Sequence, residues 1–378
     1  MSIVNNPGLL IARARMERGW SQEGLCRGIC AISYLSKIES GRAEASEEII
    51  SLLFARLGIE WSEELEAEAE ELADKACEAL FTADYEEFEE ILTGGEAEKF
   101  RFTSRGVELE LLNRVADGLR EPLAKDVEKS MDARTLALQR ILQGRAEEAI
   151  ALMPCAYTYY EVGTAAYSRG DYVRAMEQLQ RGYDIAAADG SPKLMLLCKL
   201  FLAACCSNRR DREGMERHGI AARRIAKALG DTDAIEQLNY NSAATAIECG
   251  EYEKAYAYFA NVPSAGMMEK HKLAICCEKT GRPVEAMSAM DEAEVMESDY
   301  PTTELARRMC ALVRYRLEHE DYLKSEEYGE MLLSVFESCR RELSAGYAIF
   351  HLPWVLEWYK ANRQYKKALE LMEEFPRN

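Results

Sequence analysis

A short unit that recurs over the second half of the chain constrains the fold more than any other feature. A turn residue is followed two positions later by a tyrosine, and three beyond that by a small side chain. The unit reads Gly170-Asp171-Tyr172-x-x-Ala175, Gly250-Glu251-Tyr252-x-x-Ala255, Glu320-Asp321-Tyr322-x-x-Ser325 and Arg363-Gln364-Tyr365-x-x-Ala368. Degenerate copies run from Gly144 to Ala149 and from Gly281 through Pro283 to Ala286, with a weaker one near Asp211 to Met215. Ala175, Met215 and Ala255 are spaced 40 residues apart. Self-similarity at a near-constant period marks a repeat architecture. The turn would join two antiparallel helices, the tyrosine would pack beside it, and the small residue would let the helices approach. One hairpin cannot bury its own face, so neighbours are expected to stack into a superhelix with a concave wall.

This unit resembles the tetratricopeptide-type helical hairpin, and the longer spacings are similar to those of peptide-sensing regulators. The resemblance implies a right-handed TPR-like superhelix. Composition supports an all-α fold: among 378 residues there are only nine prolines, and 48% are hydrophobic. No run of ~18 uncharged apolar residues occurs, so no membrane span is expected. The first residues lack a basic segment followed by an apolar one, so no secretory signal is expected either, and a cytoplasmic location follows. The twelve cysteines are then expected as reduced thiols packed between helices. Cys205-Cys206 and Cys276-Cys277 are adjacent pairs, no C-x-x-C occurs, and the four histidines have no ligand spacing. Neither a metal site nor a cofactor is expected.

The N-terminal sixty residues have a different character. Pro7 to Arg18 reads as a helix, with Leu10, Ile11 and Ala14 on one face and Gly19 as its stop. Ser21 reads as the N-cap of a second helix, Gln22 to Gly28, with Trp20 and Leu25 at the spacing of a hydrophobic staple. A third helix is expected from Ile32 to Ser40, with Leu35 and Ile38 inward and Gly41 beyond its end. Ser46 caps a fourth, Glu47 to Leu57, striped with Ile49, Ile50, Leu53 and Leu57 and closed by Gly58. Short helices, the second and third joined by a tight turn, define a helix-turn-helix domain. Residues 1–42 hold six Lys/Arg against three acids, a local +3 in a chain of net charge −19. A basic head on an acidic body suits contact with DNA through the head alone.

The stretch from Gly19 to Arg42, GWSQEGLCRGICAISYLSKIESGR, closely resembles the phage-repressor-like (XRE) helix-turn-helix. The variant is that of the peptide-sensing PlcR, Rgg and PrgX group of Gram-positive bacteria. In this geometry the third helix enters the major groove and turns Ser33, Tyr34, Ser36 and Lys37 outward. Lys37 can donate to guanine or to phosphate, and Ser33 and Tyr34 can contact either. Gln22, at a helix N-terminus, and Arg42, beyond the third helix, are phosphate candidates. The resemblance also implies a structural ion pair between Arg15 and Glu39.

Three segments are thus expected: residues 1–60 as the DNA-binding head, 61–130 as an acidic helical connector with the first repeat helices, and 131–378 as the sensor. Residues 60–98 hold sixteen acids and one base, Lys75. Helical spacing persists from Glu60 to Leu80 through Leu65, Ala69, Leu72, Ala76 and Leu80, and Thr93-Gly94-Gly95 reads as a turn. Projecting the repeat places Tyr157, Tyr160, Tyr167, Asn208, Gln237, Tyr240, Asn241, His271 and Arg314 on or near the concave wall. Amide side chains can pair with the N–H and C=O groups of an extended peptide, and tyrosines can supply apolar pockets or inter-helix core. The acidic surface points to a neutral or basic ligand. No phosphate-binding loop, dinucleotide fingerprint or zinc-protease motif occurs, so catalysis is not expected. The expected function is regulation of transcription by a homodimer on a DNA operator, modulated by a short signalling peptide that the resemblance implies. The alternatives are an adaptor whose repeats bind another protein, and a scaffold whose head no longer reads DNA.

Overall fold

A computed structural model describes residues 7–93, 99–119, 121–125, 127–209, 211–298 and 300–375. Among them every regular element is helical. The chain divides into two compact units: residues 1–161 with 185–194, and residues 162–184 with 195–378.

The first unit opens with α1 (Pro7–Glu17), α2 (Gln22–Cys26), α3 (Ile32–Glu39) and α4 (Glu47–Leu57). Local chemistry sets these boundaries. The Ser21 hydroxyl accepts from the Gly24 amide at 3.0 Å and that of Ser46 from the Ile49 amide at 3.4 Å, which satisfies amides that a helix start leaves free. Gly58 ends α4 in the left-handed region, at φ 62°. Leu10, Ile11, Ala14, Leu25, Leu35, Ile38, Leu53, Phe54 and Leu57 form one core. The expected Trp20–Leu25 staple does not form its half of that core. Leu25 is buried, but Trp20 stays 39% exposed, and its carbonyl instead accepts a 2.8 Å hydrogen bond from Arg15.

The acidic stretch forms α5 (Glu63–Phe81), capped by Ser62, and α6 (Tyr85–Leu92). Ala69, Ala73, Ala76, Cys77 and Leu80 bury one face of α5, while its carboxylates are exposed except that of Glu66, which is half-buried and accepts from Trp61 and Ser104. The turn expected at Thr93-Gly94-Gly95 lies partly outside the described residues. Next come α7 (Gly106–Ala116), a 3₁₀ turn (Val127–Ser130), α8 (Ala133–Leu142) and α9 (Ala146–Leu152). Glu108, buried, is held by Arg105 at 2.6 Å and Arg134 at 2.7 Å, and Arg134 also reaches Asp74 at 2.7 Å.

The boundary between units falls within α10 (Ala156–Ser168) and α11 (Tyr172–Asp189). The second unit continues as α12 (Pro192–Asn208), whose first residues lie in the first unit, α13 (Arg212–Leu229), α14 (Thr232–Glu248), α15 (Tyr252–Phe259), α16 (Met267–Lys279) and α17 (Pro283–Glu294). It closes with α18 (Thr303–Glu318), α19 (Glu326–Glu342), α20 (Ala345–Ala361) and α21 (Tyr365–Glu374). Successive helices from α13 to α21 pack on one another as hairpins. The small residues do what the repeat requires, since Ala175, Ala255, Ala286 and Ala368 are all buried. Gly170, Gly250 and Gly281 turn the chain in the left-handed region. Between α19 and α20 the approach is closer still: a Cβ on Gly329 would sit 2.0 Å from the Trp358 ring.

Three copies of the unit depart from expectation. Near Asp211, α13 starts in register with its counterparts, but the buried small residue is Gly214, and Met215, at the position of Ala175 and Ala255, is half-buried. At Glu320 to Ser325 the chain makes a 3₁₀ turn (Tyr322–Lys324), and Ser325 serves as the N-cap of α19, accepting from the Tyr328 amide at 3.2 Å. Tyr365 is 62% exposed, unlike Tyr172, which is buried.

Candidate functional site

Two sites arise, one in each unit. In the head, α3 presents Ile32, Ser33, Ser36 and Lys37 to solvent, while Leu35, Ile38 and Glu39 face inward. Lys37 and Arg42 are exposed and make no ion pair among the described residues. Tyr34 is half-buried and donates its hydroxyl to the Glu44 carbonyl at 2.9 Å. Gln22 donates its amide to Glu39 Oε2 at 2.7 Å, so its N–H is already partly committed. Ile32, 47% exposed at the start of α3, joins this outward face. An apolar side chain there can meet a thymine methyl in the major groove.

The Arg15–Glu39 pair fixes α3 from behind. Arg15 Nε and Nη2 donate to the two Glu39 oxygens at 2.6 and 2.9 Å, a bidentate pairing. The Glu39 carboxylate, its principal partner, holds the Arg15 guanidinium more firmly protonated than usual. The backbones also approach closely, since a Cβ on Gly8 would lie 1.9 Å from the Ile38 carbonyl oxygen.

In the second unit, α12, α13, α14, α15, α16 and the start of α20 enclose a cavity of about 440 Å³, within the range of small-ligand sites. Of the wall residues expected from sequence, Tyr167, Asn208, Tyr240, Asn241 and His271 line it. Gln237 is exposed on α14 and lies outside the cavity lining. Arg314 also lies outside it, paired with Asp291 at 2.7 Å and Glu294 at 3.3 Å. Tyr157 and Tyr160 belong to the first unit and are buried there, Tyr157 with its ring 5.4 Å from that of Phe81.

The cavity's chemistry is set in part by groups that the repeat pattern does not single out, Lys272 and His351 among them. Lys272, only 6% exposed, donates to the Tyr240 hydroxyl at 2.5 Å and lies over the Tyr240 and Phe350 rings at 4.8 and 5.5 Å. Burial pushes its ammonium down to about 8, with Glu269 and Glu248 opposing. His271 is completely buried, and neither ring nitrogen has a hydrogen-bond partner. Burial, reinforced by Lys272, His351 and Arg316, keeps that ring well below its ordinary range and hence neutral. His351 meets the Tyr347 carbonyl through Nδ1 at 2.8 Å and has no partner at Nε2. Burial pushes it down to about 4. Asn208 donates to the Tyr167 hydroxyl at 3.3 Å, and Ser207 pairs with Thr245 at 2.6 Å. On α13, Gly219 lines the cavity, and a Cβ there would meet nothing within 4 Å.

The cavity's lining carries four cations, Arg212, Arg223, Lys254 and Lys272, against two carboxylates, Glu216 and Glu248. The acidity of the whole chain therefore does not extend to this wall, where Arg212 and Lys254 pair with Glu251. The acids concentrate elsewhere, as on the outer face of α5.

Residues 11–63 match the helix-turn-helix family model, and the head is a helix-turn-helix DNA-binding domain. No curated protein matches the chain. Among solved structures, the chain is similar to PlcR of Bacillus thuringiensis in complex with the peptide PapR7 and DNA, at 18% identity, 62% coverage of this chain, 98% of that chain and a TM-score of 0.33. A second is the apo form of the competence regulator ComR from Streptococcus vestibularis, at 11% identity, 75% and 99% coverage and a TM-score of 0.32. No helix among the described residues is long and apolar enough to cross a membrane.

Proposed function

We propose that the protein is a cytoplasmic transcription regulator that binds a DNA operator as a homodimer and whose second unit binds a short peptide that modulates operator affinity. The cavity carries this reading. Its lining supplies amides from Asn208 and Asn241, aromatic faces from Tyr240, Tyr347 and Phe350, and open space at Gly219. A glycine inside a helix costs ~1 kcal/mol relative to alanine. At Gly219 no neighbouring atom demands it, so its consequence is the room it leaves. Amides can pair with peptide N–H and C=O groups, and the aromatics supply side-chain pockets. No catalytic role is assigned. The ligand changes operator affinity only by as much as its own affinity differs between the DNA-bound and free states.

For the head, Ser33, Tyr34, Ser36 and Lys37 are the proposed readers, with Gln22 and Arg42 on phosphates. The test is selection of genomic DNA fragments by the full chain at near-physiological salt, beside a Tyr34→Ala/Lys37→Ala control. Enrichment of one palindromic site that the control loses supports the regulator. Equal enrichment by both chains refutes the assignment of α3 as reader.

A further inference from the structure

We propose that the cavity recognises its ligand through a carboxylate, which pairs with Lys272 at the foot of the site. The proposal rests on the peptide reading above and names the group of the peptide that is read. Lys272 is a lysine removed from water, with three donors, one hydroxyl partner and no carboxylate within ion-pair distance among the described residues. Buried cations in folded proteins are ordinarily paired, because an unpaired one carries its full desolvation penalty. Here the paired state is completed only when something enters the cavity.

Three further observations point the same way. Of the four cations in the lining, Arg212 and Lys254 pair with Glu251, while Arg223 and Lys272 have no carboxylate within ion-pair distance among the described residues. The start of α20, a 17-residue helix, borders the cavity at Ser344, Gly346 and Tyr347. Its first turn holds no acidic residue and the Ser344 side chain makes no capping bond, so the positive end of the helix is left uncompensated by side chains. His271 and His351, on α16 and α20, bring buried ring nitrogens without partners to the same wall. The neutral His271 ring carries one N–H that can donate to a carboxylate oxygen, whereas His351 donates through Nδ1 to the Tyr347 carbonyl and keeps Nε2 as an acceptor. An ammonium cation in the ligand would meet Lys272 as a like charge.

In a peptide, the carboxylate comes either from the free C-terminus or from an Asp or Glu side chain. The test presents the full chain with three pools of random heptapeptides: free acids lacking Asp and Glu, C-terminal amides lacking both, and C-terminal amides containing one Asp. Retained peptides are counted by mass spectrometry for wild type, Lys272→Arg and Lys272→Met, with helicity and melting recorded for each. The expected result is retention of carboxylate-bearing peptides at least tenfold above neutral amides, kept by Lys272→Arg and lost by a folded Lys272→Met. Free acids above Asp-containing amides identify the C-terminus, and the reverse order identifies a side chain. Equal retention of all three pools leaves the peptide reading standing and overturns the carboxylate. Retention of none overturns the peptide reading. In that case N-acetyl amino acids serve as the probe, where a melting shift lost in Lys272→Met supports the carboxylate and no shift overturns it.

Discussion

Glu39→Ala should unfold the head or bring it close to unfolding, while leaving the second unit intact. Glu39 accepts two hydrogen bonds from Arg15 and one from Gln22, at 2.6, 2.9 and 2.7 Å. Its side chain is 7% exposed and that of Arg15 is 13% exposed, so removing the carboxylate strands a guanidinium out of water. Breaking a buried pair costs ~3–5 kcal/mol, and the residual exposure of Arg15 argues for the lower end. A domain of this size has a total stability of ~3–9 kcal/mol. The loss is therefore a third of the total at least. Amide hydrogen exchange on the full chain resolves it by region: protection in α1, α2 and α3 should fall by roughly two orders of magnitude, as ~3 kcal/mol implies. Amides of α13 to α21 should not change. The double variant Arg15→Met/Glu39→Leu, which removes both charges together, should recover most of the protection, because apolar residues of similar volume replace a buried pair at little cost. Protection in α1 to α3 within threefold of wild type in Glu39→Ala would refute the reasoning.

Four other outcomes are expected. Gly8→Ala places a Cβ 1.9 Å from a backbone oxygen of α3 and should cost the head ~1–3 kcal/mol; unchanged exchange in α1 would show that the helices part freely. Lys37→Ala should weaken operator binding by ~1–3 kcal/mol, and unchanged affinity in a folded variant removes Lys37 from the interface. Gly219→Leu should raise the melting temperature, by relieving ~1 kcal/mol of helix cost, yet abolish peptide retention; retention at wild-type level would put the ligand elsewhere. Stability should also fall in acid. His351 sits at about 4 when folded, surrounded by Lys272, Arg316, the Tyr347 carbonyl and the Cys339 thiol, against ~6.5 unfolded. Between those values the unfolded chain binds more protons, so this contribution is complete above pH ~6.5 and is lost as pH falls toward ~4, about 2 kcal/mol of it by pH ~5. Urea midpoints at pH 7 and pH 5 measure the loss, and His351→Phe should reduce it; equal midpoints for the wild-type chain contradict it.

The head is legible in the sequence because its signals are local. Ser21 and Ser46 cap the helices they precede, and Gly58 closes α4 within a residue of the apolar stripe's end. The exceptions are tertiary: nothing next to Gly8 announces that α3 will lie against it, and nothing next to Trp20 announces that its ring will stay in water. In the repeats, Ala175, Ala255 and Ala368 could be read as buried because a small side chain at a hairpin crossing is needed in every copy. The tyrosines could not, because their burial depends on what packs beside the turn: Tyr172 is buried and Tyr365 exposed. The cavity was half legible. Tyr167, Asn208, Tyr240, Asn241 and His271 follow from projecting one face of each helix. Lys272 does not, since a lysine in a helix is ordinarily a solvated residue. Phe350 and His351 do not either, because α20 is brought to α12 and α14 only by the fold.

Several of the cavity's residues share a property: each makes the protein without a ligand less stable. Alanine at 219 would make a better helix, and methionine at 272 would remove an ammonium that burial already pushes down to about 8. A ring without nitrogens at 271 would leave no donor or acceptor without a partner. A single such residue is common in a folded domain: Lys199, also buried, meets only Gln180 and the Tyr183 ring, while Glu39, Glu108 and Arg316 are paired; on this wall several converge. The concentration of unmet interactions means that a ligand which meets them gains affinity from groups already held in place, without reordering the wall. It also means that the empty second unit sits higher in free energy than its helices alone require. On the proposed function, ligand binding would both fill the cavity and stabilise the helices around it. Any difference in operator affinity between the liganded and empty protein draws on that same free energy.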